Sequence, residues 1–241
     1  MSELFHAGVY WPVRRESVGE SARRAETFFR LLSRCDPLYA RWFEQEESLE
    51  LGLQLPFEPT RETLLGFFES RRYGQGPFGF SFNAWTGHVE EGHGSVVLLG
   101  SGSTEVLPAN ACLLDLPHGG EEARRVLTVP VLTGVLRAMV LAWAPDWGGV
   151  MGEDSGDLGA EAEGPSDLGW LLYFSHERGE VPALPEPVRA EPVEDQGTLV
   201  ILTPERFSVR DPAHVVLARE VNAVLVEAGL LEEPAAPGES A

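Results

Sequence analysis

The sequence predicts an α+β fold: one mixed or mainly antiparallel sheet with flanking helices, helical at both ends. Two observations carry the prediction. Apolar residues recur at helical spacing near the start, in the middle and near the end of the chain, with short apolar or alternating runs between them. These runs do not fall into the regular βαβ alternation that a parallel sheet requires.

Taken in order, Ser17 and Glu20 form an S-x-x-E capping box that opens the first helix. Val18, Ala22, Ala25, Phe29 and Leu32 make its inward stripe, with Arg23, Arg24 and Arg30 turned outward. That helix should end near Cys35. Asp36-Pro37 reads as cap and first-turn proline of a second, short helix carrying Leu38, Trp42 and Phe43. Thr60 opens a third, with Leu64, Leu65 and Phe68 inward.

The runs 78–87 (FGFSFNAWTG), 95–99 (SVVLL) and 111–116 (ACLLDL) are bounded by glycine, proline and asparagine and read as antiparallel strands. A long helix follows from Val131 to Ala144, stopped by Pro145. Further strands are expected near Trp147, at 169–175 (GWLLYFS), at about 188–193 and at 198–202 (TLVIL). Asp211-Pro212 caps a last helix whose stripe is Leu217, Val221, Val224, Leu225 and Ala228, with Gly229 as its stop.

With 241 residues, the chain can bury roughly three quarters of its unfolded surface without a disulfide or metal staple. It holds 38 acidic residues against 18 basic ones, a formal net charge of -20, and every basic residue is arginine. So negative a balance argues against nucleic-acid or anionic-membrane binding, because phosphate contacts need a positive field. It favours attraction to a basic partner. Cys35 and Cys112 are far apart with no CxxC spacing, as expected of buried thiols in a reducing compartment. The first residues lack a positive start followed by an apolar run, and no stretch reaches the length of a membrane span, so a cytoplasmic protein is expected.

Residues 152–167 hold six acidic residues, several glycines and no basic residue. They read as a mobile acidic loop inserted within one domain that spans 1–241, and residues 232–241 read as a frayed tail.

No catalytic motif is present: there is no G-x-S-x-G elbow, Walker loop or Rossmann glycine pattern. GQGPFG (74–79) carries a proline and precedes a strand, so it reads as a turn. His88, Glu90, Glu91 and His93 cluster closely, but H-x-E-E-x-H matches no zinc spacing and Gly87, Gly92 and Gly94 mark a turn. Cys112 lies on an apolar strand, which suits core packing rather than nucleophilic chemistry. No catalytic, metal-binding or cofactor-binding residue is therefore assigned, and no cofactor is expected. The features that point outward are acidic: Glu44, Glu46, Glu47 and Glu50 after the second helix, Glu90 and Glu91 at the hairpin, and the 153–167 segment. Trp85, at a strand end beside Thr86-Gly87, is the candidate aromatic anchor.

YWPVRRES (Tyr10 to Ser17), Asp36-Pro37 followed by Ala40-Arg41-Trp42, and Gly79-Phe80 followed by Ala84-Trp85-Thr86-Gly87 together resemble bacterial Immunity protein 52. So do AWAPDWGG (Ala142 to Gly149), GWLLYFS (Gly169 to Ser175), Glu205-Arg206-Phe207 and AGLL (Ala228 to Leu231), in order along nearly the whole chain. The sequence departs from the family where Trp85 is followed by threonine rather than asparagine, and in the longer, more acidic 152–167 segment. The resemblance implies an inhibitor encoded beside a polymorphic toxin, commonly one with a restriction-endonuclease-like nuclease domain, delivered between bacteria. The expected partner is thus a toxin domain, one that would offer a basic groove; the family motifs do not say which residues bind it, and the acidic clusters and the strand-end ring make Glu44, Glu46, Glu47, Glu50, Trp85, Glu90 and Glu91 the candidate contacts. Two other readings fit the same composition: a cytoplasmic adaptor or chaperone for a secreted effector, and a small metal-dependent enzyme built on His88 to His93.

Overall fold

Phe5, Ala7, Val9 and Trp11 share one buried face and His6, Gly8 and Tyr10 the other, where Gly8 is buried too; this period of two makes the first element a strand, β1 (Phe5–Trp11). This is a computed structural model, and it describes residues 3–14, 16–74, 79–101, 110–152 and 169–231. Further strands are β2 (Trp42–Glu44), β3 (Pro56–Phe57), β4 (Phe80–Trp85), β5 (Val96–Ser101), β6 (Asn110–Asp115), β7 (Trp147–Gly152), β8 (Gly169–Ser175), β9 (Arg189–Val193) and β10 (Gly197–Ile201). Among the described residues they form one ten-stranded sheet in the order β3-β2-β4-β5-β6-β1-β7-β8-β10-β9. Every pairing in it is antiparallel.

The fold is α+β as expected, and of the helices expected at both ends the C-terminal one is present, at Pro212–Glu227, while the N-terminal end is corrected. The N-terminal element is a strand at the centre of the sheet, between β6 and β7. Glycine explains how that centre closes. A Cβ on Gly148 would lie 2.4 Å from the Gly8 carbonyl, and one on Gly149 would lie 2.6 Å from the Leu171 carbonyl. Only glycine lets these backbones approach so closely.

Helices α1 (Val18–Leu32), α3 (Arg61–Glu69) and α5 (Val129–Trp143) pack together on one face. Ser17 and Glu20 close the predicted capping box, which satisfies two N-terminal donors of α1. Phe28, Phe29 and Leu32 point inward from it. Phe68 of α3 stacks on Phe80 of β4 at 3.8 Å, and Trp143 of α5 stacks on Trp11 of β1 at 5.0 Å. A fully buried large apolar side chain contributes about 1.5–3 kcal/mol, and this layer holds many of them. α5 ends at Ala144, which adopts a left-handed conformation just before Pro145.

The opposite face is covered at one end by α6 (Pro212–Glu227), whose Ala218 and Val221 line one small cavity together with Leu172 and Leu202. With α5 on one side and α6 on the other, all seven residues of β8 are buried, which is why GWLLYFS is apolar without alternation. A short helix, α4 (Gly120–Val126), precedes α5. No single helix among the described residues is long and apolar enough to cross a membrane.

The second helix is also corrected. Asp36 and Pro37 start only a single 3-10 turn, Pro37–Ala40, after which Arg41 is extended and Trp42 and Phe43 belong to β2. Strand alternation then divides the two aromatics. Trp42 goes to the helix side, edge-on to Phe29 at 5.0 Å, and Phe43 goes to the opposite side with Trp85. The 153–167 segment, the 232–241 tail and residues 75–78 of the GQGPFG turn lie outside the described residues.

Candidate interaction surface

Between β2 and β3 the chain makes one helical turn, α2 (Leu49–Gly52), capped by the Ser48 hydroxyl, which accepts from the Leu51 N–H. This turn rests on Trp85. A Cβ on Gly52 would sit 3.2 Å from the Trp85 Nε1 and 3.3 Å from the Glu44 carbonyl, so glycine seats the turn against the ring. The Trp85 Nε1–H donates to the Glu44 carbonyl oxygen at 3.2 Å. Trp85 is only 8% exposed and lies 6.0 Å from the Phe43 ring. Its place is beneath α2, as a support for the surface rather than a protruding side chain.

With Gly52 inward and successive residues about 100° apart around a helix, Leu49 and Leu53 fall on one flank of the turn and Leu51 on the other. All are exposed, by 53%, 39% and 51%, and Leu55 by 36%. Composition singles out the acids of this segment and passes over these leucines. Their alternation is a signal of periodicity, but burial is not encoded in it.

The four glutamates of this segment differ in role. The Glu44 carboxylate accepts from the Tyr73 hydroxyl at 2.9 Å. Burial, together with that carboxylate, pushes the Tyr73 phenol well above its usual range. Arg72 donates to the Glu46 carboxylate at 2.5 Å and to the Gln45 carbonyl at 2.6 Å, and the guanidinium holds the Glu46 carboxyl below its usual range. Glu44 and Glu46 thus tie the segment down. Glu47 and Glu50 are exposed beside the leucines.

Glu90 and Glu91 are exposed on the turn between β4 and β5. The turn folds back on the start of α4, where the His93 Nδ1 meets the Glu122 carboxylate at 3.0 Å and Glu90 at 3.5 Å. His88 instead approaches the Thr86 hydroxyl at 3.3 Å. Gly120 has a positive φ of 68°, and a Cβ there would lie 2.2 Å from the His93 ring. His93 therefore packs as a structural contact of α4. No group of three or more His, Cys, Asp or Glu side chains suited to a metal converges among the described residues.

The thiols are held away from reactivity. Burial pushes Cys35 up to about 11, and burial pushes the enclosed Cys112 well above its ordinary value. A thiolate nucleophile needs the reverse shift. Asp36 is the most enclosed carboxylate described. Burial alone would raise it, but Arg125 at 2.6 and 2.9 Å and the Leu38 N–H outweigh that and leave it below its usual range. The pair fastens the 3-10 turn to α4 and is a strut of the fold.

No curated protein matches this sequence. Among solved structures, the fold resembles Pseudomonas aeruginosa T6SS protein PA0821 with a TM-score of 0.53 and 12% identity. That match covers 99% of this chain and 78% of the other. The sequence model of Immunity protein 52 matches residues 3–234, nearly the whole chain, spanning every landmark from Tyr10 to Leu231. This chain belongs to the Immunity protein 52 family.

Proposed function

We propose that this chain is a stoichiometric inhibitor of a nuclease toxin, which it silences by covering the toxin's basic groove or holding it in an inactive shape. Membership of an immunity-protein family carries the reading. A fold similar to a T6SS protein is consistent with a setting of toxin delivery between bacteria. The nuclease as target is supported by charge. A nuclease must offer a positive groove to a polyanion, and a protein of net charge -20 is attracted to the same groove. Such steering lifts association rates toward about 10⁸–10⁹ M⁻¹s⁻¹ at low salt. The chain supplies binding, with no chemistry of its own, and acts in the cytoplasm where the toxin would otherwise attack.

Co-expression with the toxin encoded beside it tests this reading. Cells that carry both genes should survive with intact DNA and RNA, whereas cells with the toxin alone should show degraded nucleic acid. Survival with nucleic acid untouched in both cases would identify a toxin of another class. Unchanged killing would remove the immunity role.

A further inference from the structure

Leucine side chains exposed on a rigid segment cost solubility and contribute little to the fold, so a cluster of them calls for a partner. Leu49, Leu51, Leu53 and Leu55 are such a cluster. The other large exposed apolar side chains described are single valines, Val13, Val89, Val216 and Val226, separated along the chain. The segment is also fastened on several sides: Trp85 lies beneath Gly52 and donates to Glu44, Tyr73 donates to Glu44, and Arg72 holds Glu46 and Gln45. An apolar surface held in place before binding loses little conformational entropy when it docks.

We propose that this leucine ledge, residues 49–55, is the surface that docks the toxin, and that the toxin meets it with an apolar cleft bordered by arginine or lysine. The inference rests on the toxin-binding reading above and adds the contact surface and the partner's chemistry. Charge complementarity identifies the occupant. Residues 44–58 carry five acidic side chains and no basic one. Glu47 and Glu50 are exposed at the leucines themselves, and Glu58 is exposed at the β3 end. A second copy of this chain would bring one acidic border against another, at a cost. A basic partner gains from the same border. The division of labour follows: the leucines on the two flanks of the turn, desolvated on docking, set how long the complex lasts, and the glutamates beside and between them set how fast it forms.

The test uses the whole chain and, as probe, the purified toxin domain encoded in the adjacent gene, inactivated at its catalytic centre. Association and dissociation are followed on a surface, and melting is followed in parallel. The triple change Leu49→Ser, Leu51→Ser and Leu53→Ser should speed dissociation by at least about 30-fold, the scale of a lost hot spot, without lowering the melting temperature. Glu47→Arg with Glu50→Arg should slow association several-fold at low salt and leave dissociation unchanged. Val216→Ser with Val226→Ser, on α6, should match the parent. If the triple change lowers melting, Leu51→Ser alone is read instead, with at least fivefold faster dissociation expected. A parent chain that binds while the leucine variants dissociate within twofold of it would overturn the ledge and leave the immunity reading standing. A parent chain that fails to bind at micromolar concentration would overturn both. Light scattering that shows a dimer abolished by the leucine changes would assign the ledge to a second copy and overturn the proposal.

Discussion

Removing Arg125 should expose how much the fold depends on one enclosed charge. The Asp36 side chain is 3% exposed, and Arg125, which is 39% exposed, gives it two charge-assisted hydrogen bonds. Arg125→Ala leaves the carboxylate with only the Leu38 N–H. Breaking a fully buried pair costs about 3–5 kcal/mol. Because water already reaches Arg125 and would partly replace it, the discounted expectation is about 2 kcal/mol. In a protein of this size that is a fall of about 4–8 °C in melting temperature.

The pH dependence has a definite sign. The folded Asp36 carboxyl titrates below its unfolded value. Its contribution is therefore complete above about pH 4, near the unfolded pKa of Asp, and is lost as pH falls through the lower folded value. Urea denaturation should show a parent–variant gap that is constant from pH 5 to 8 and closes toward pH 3. Asp36→Asn with Arg125→Met removes both charges and keeps an acceptor for Leu38, so it should cost less than Arg125→Ala alone. A gap below about 0.5 kcal/mol at pH 7, far under the scale of a broken buried pair, or a gap that widens in acid, would refute the argument.

Two glycine substitutions should act in opposite directions. Gly66, exposed in the middle of α3, has nothing within 4 Å of where a methyl would sit, so Gly66→Ala should stabilise by about 0.5–1 kcal/mol in thermal or urea melts. Gly87 has a φ of +80° and a Cβ there would lie 2.4 Å from the Phe43 ring, so Gly87→Ala should destabilise by about 2 kcal/mol. The thiols Cys35 and Cys112 should resist a disulfide reagent at pH 8 in the folded protein and both react in urea. Rapid labelling of Cys112 without denaturant would show that its strand opens far more readily than its burial implies.

Much of the periphery was legible because its signals are local. Ser17 with Glu20, Asp211 with Pro212 and Thr60 each marked a helix start that the structure shows. At the centre of the sheet β6, β7 and β8 were legible, but β1 between them was not: its Ala7 and Gly8 are residues of low strand propensity. In β7, Gly148 and Gly149 stand where neighbouring backbones leave no space for a side chain. Asp36-Pro37 carried a true capping signal, but capping does not set helix length, and the pull of Trp42 and Phe43 onto opposite faces of the sheet ended the helix after one turn. At the interaction surface the acidic character of 44–50 was plain from composition. That Trp85 turns inward, that Glu44 and Glu46 are tied by Tyr73 and Arg72, and that four leucines stand in solvent all depend on contacts between residues distant in sequence.

Inhibition by binding is read from a titration of the adjacent gene's purified toxin domain with this chain while nucleic-acid cleavage is followed. Cleavage should fall linearly and end near one chain per toxin, and the inhibited complex should persist through gel filtration. Full cleavage at a large excess of the chain would contradict inhibition by binding, as would silencing by a small fraction of an equivalent, which would mean that the chain acts catalytically.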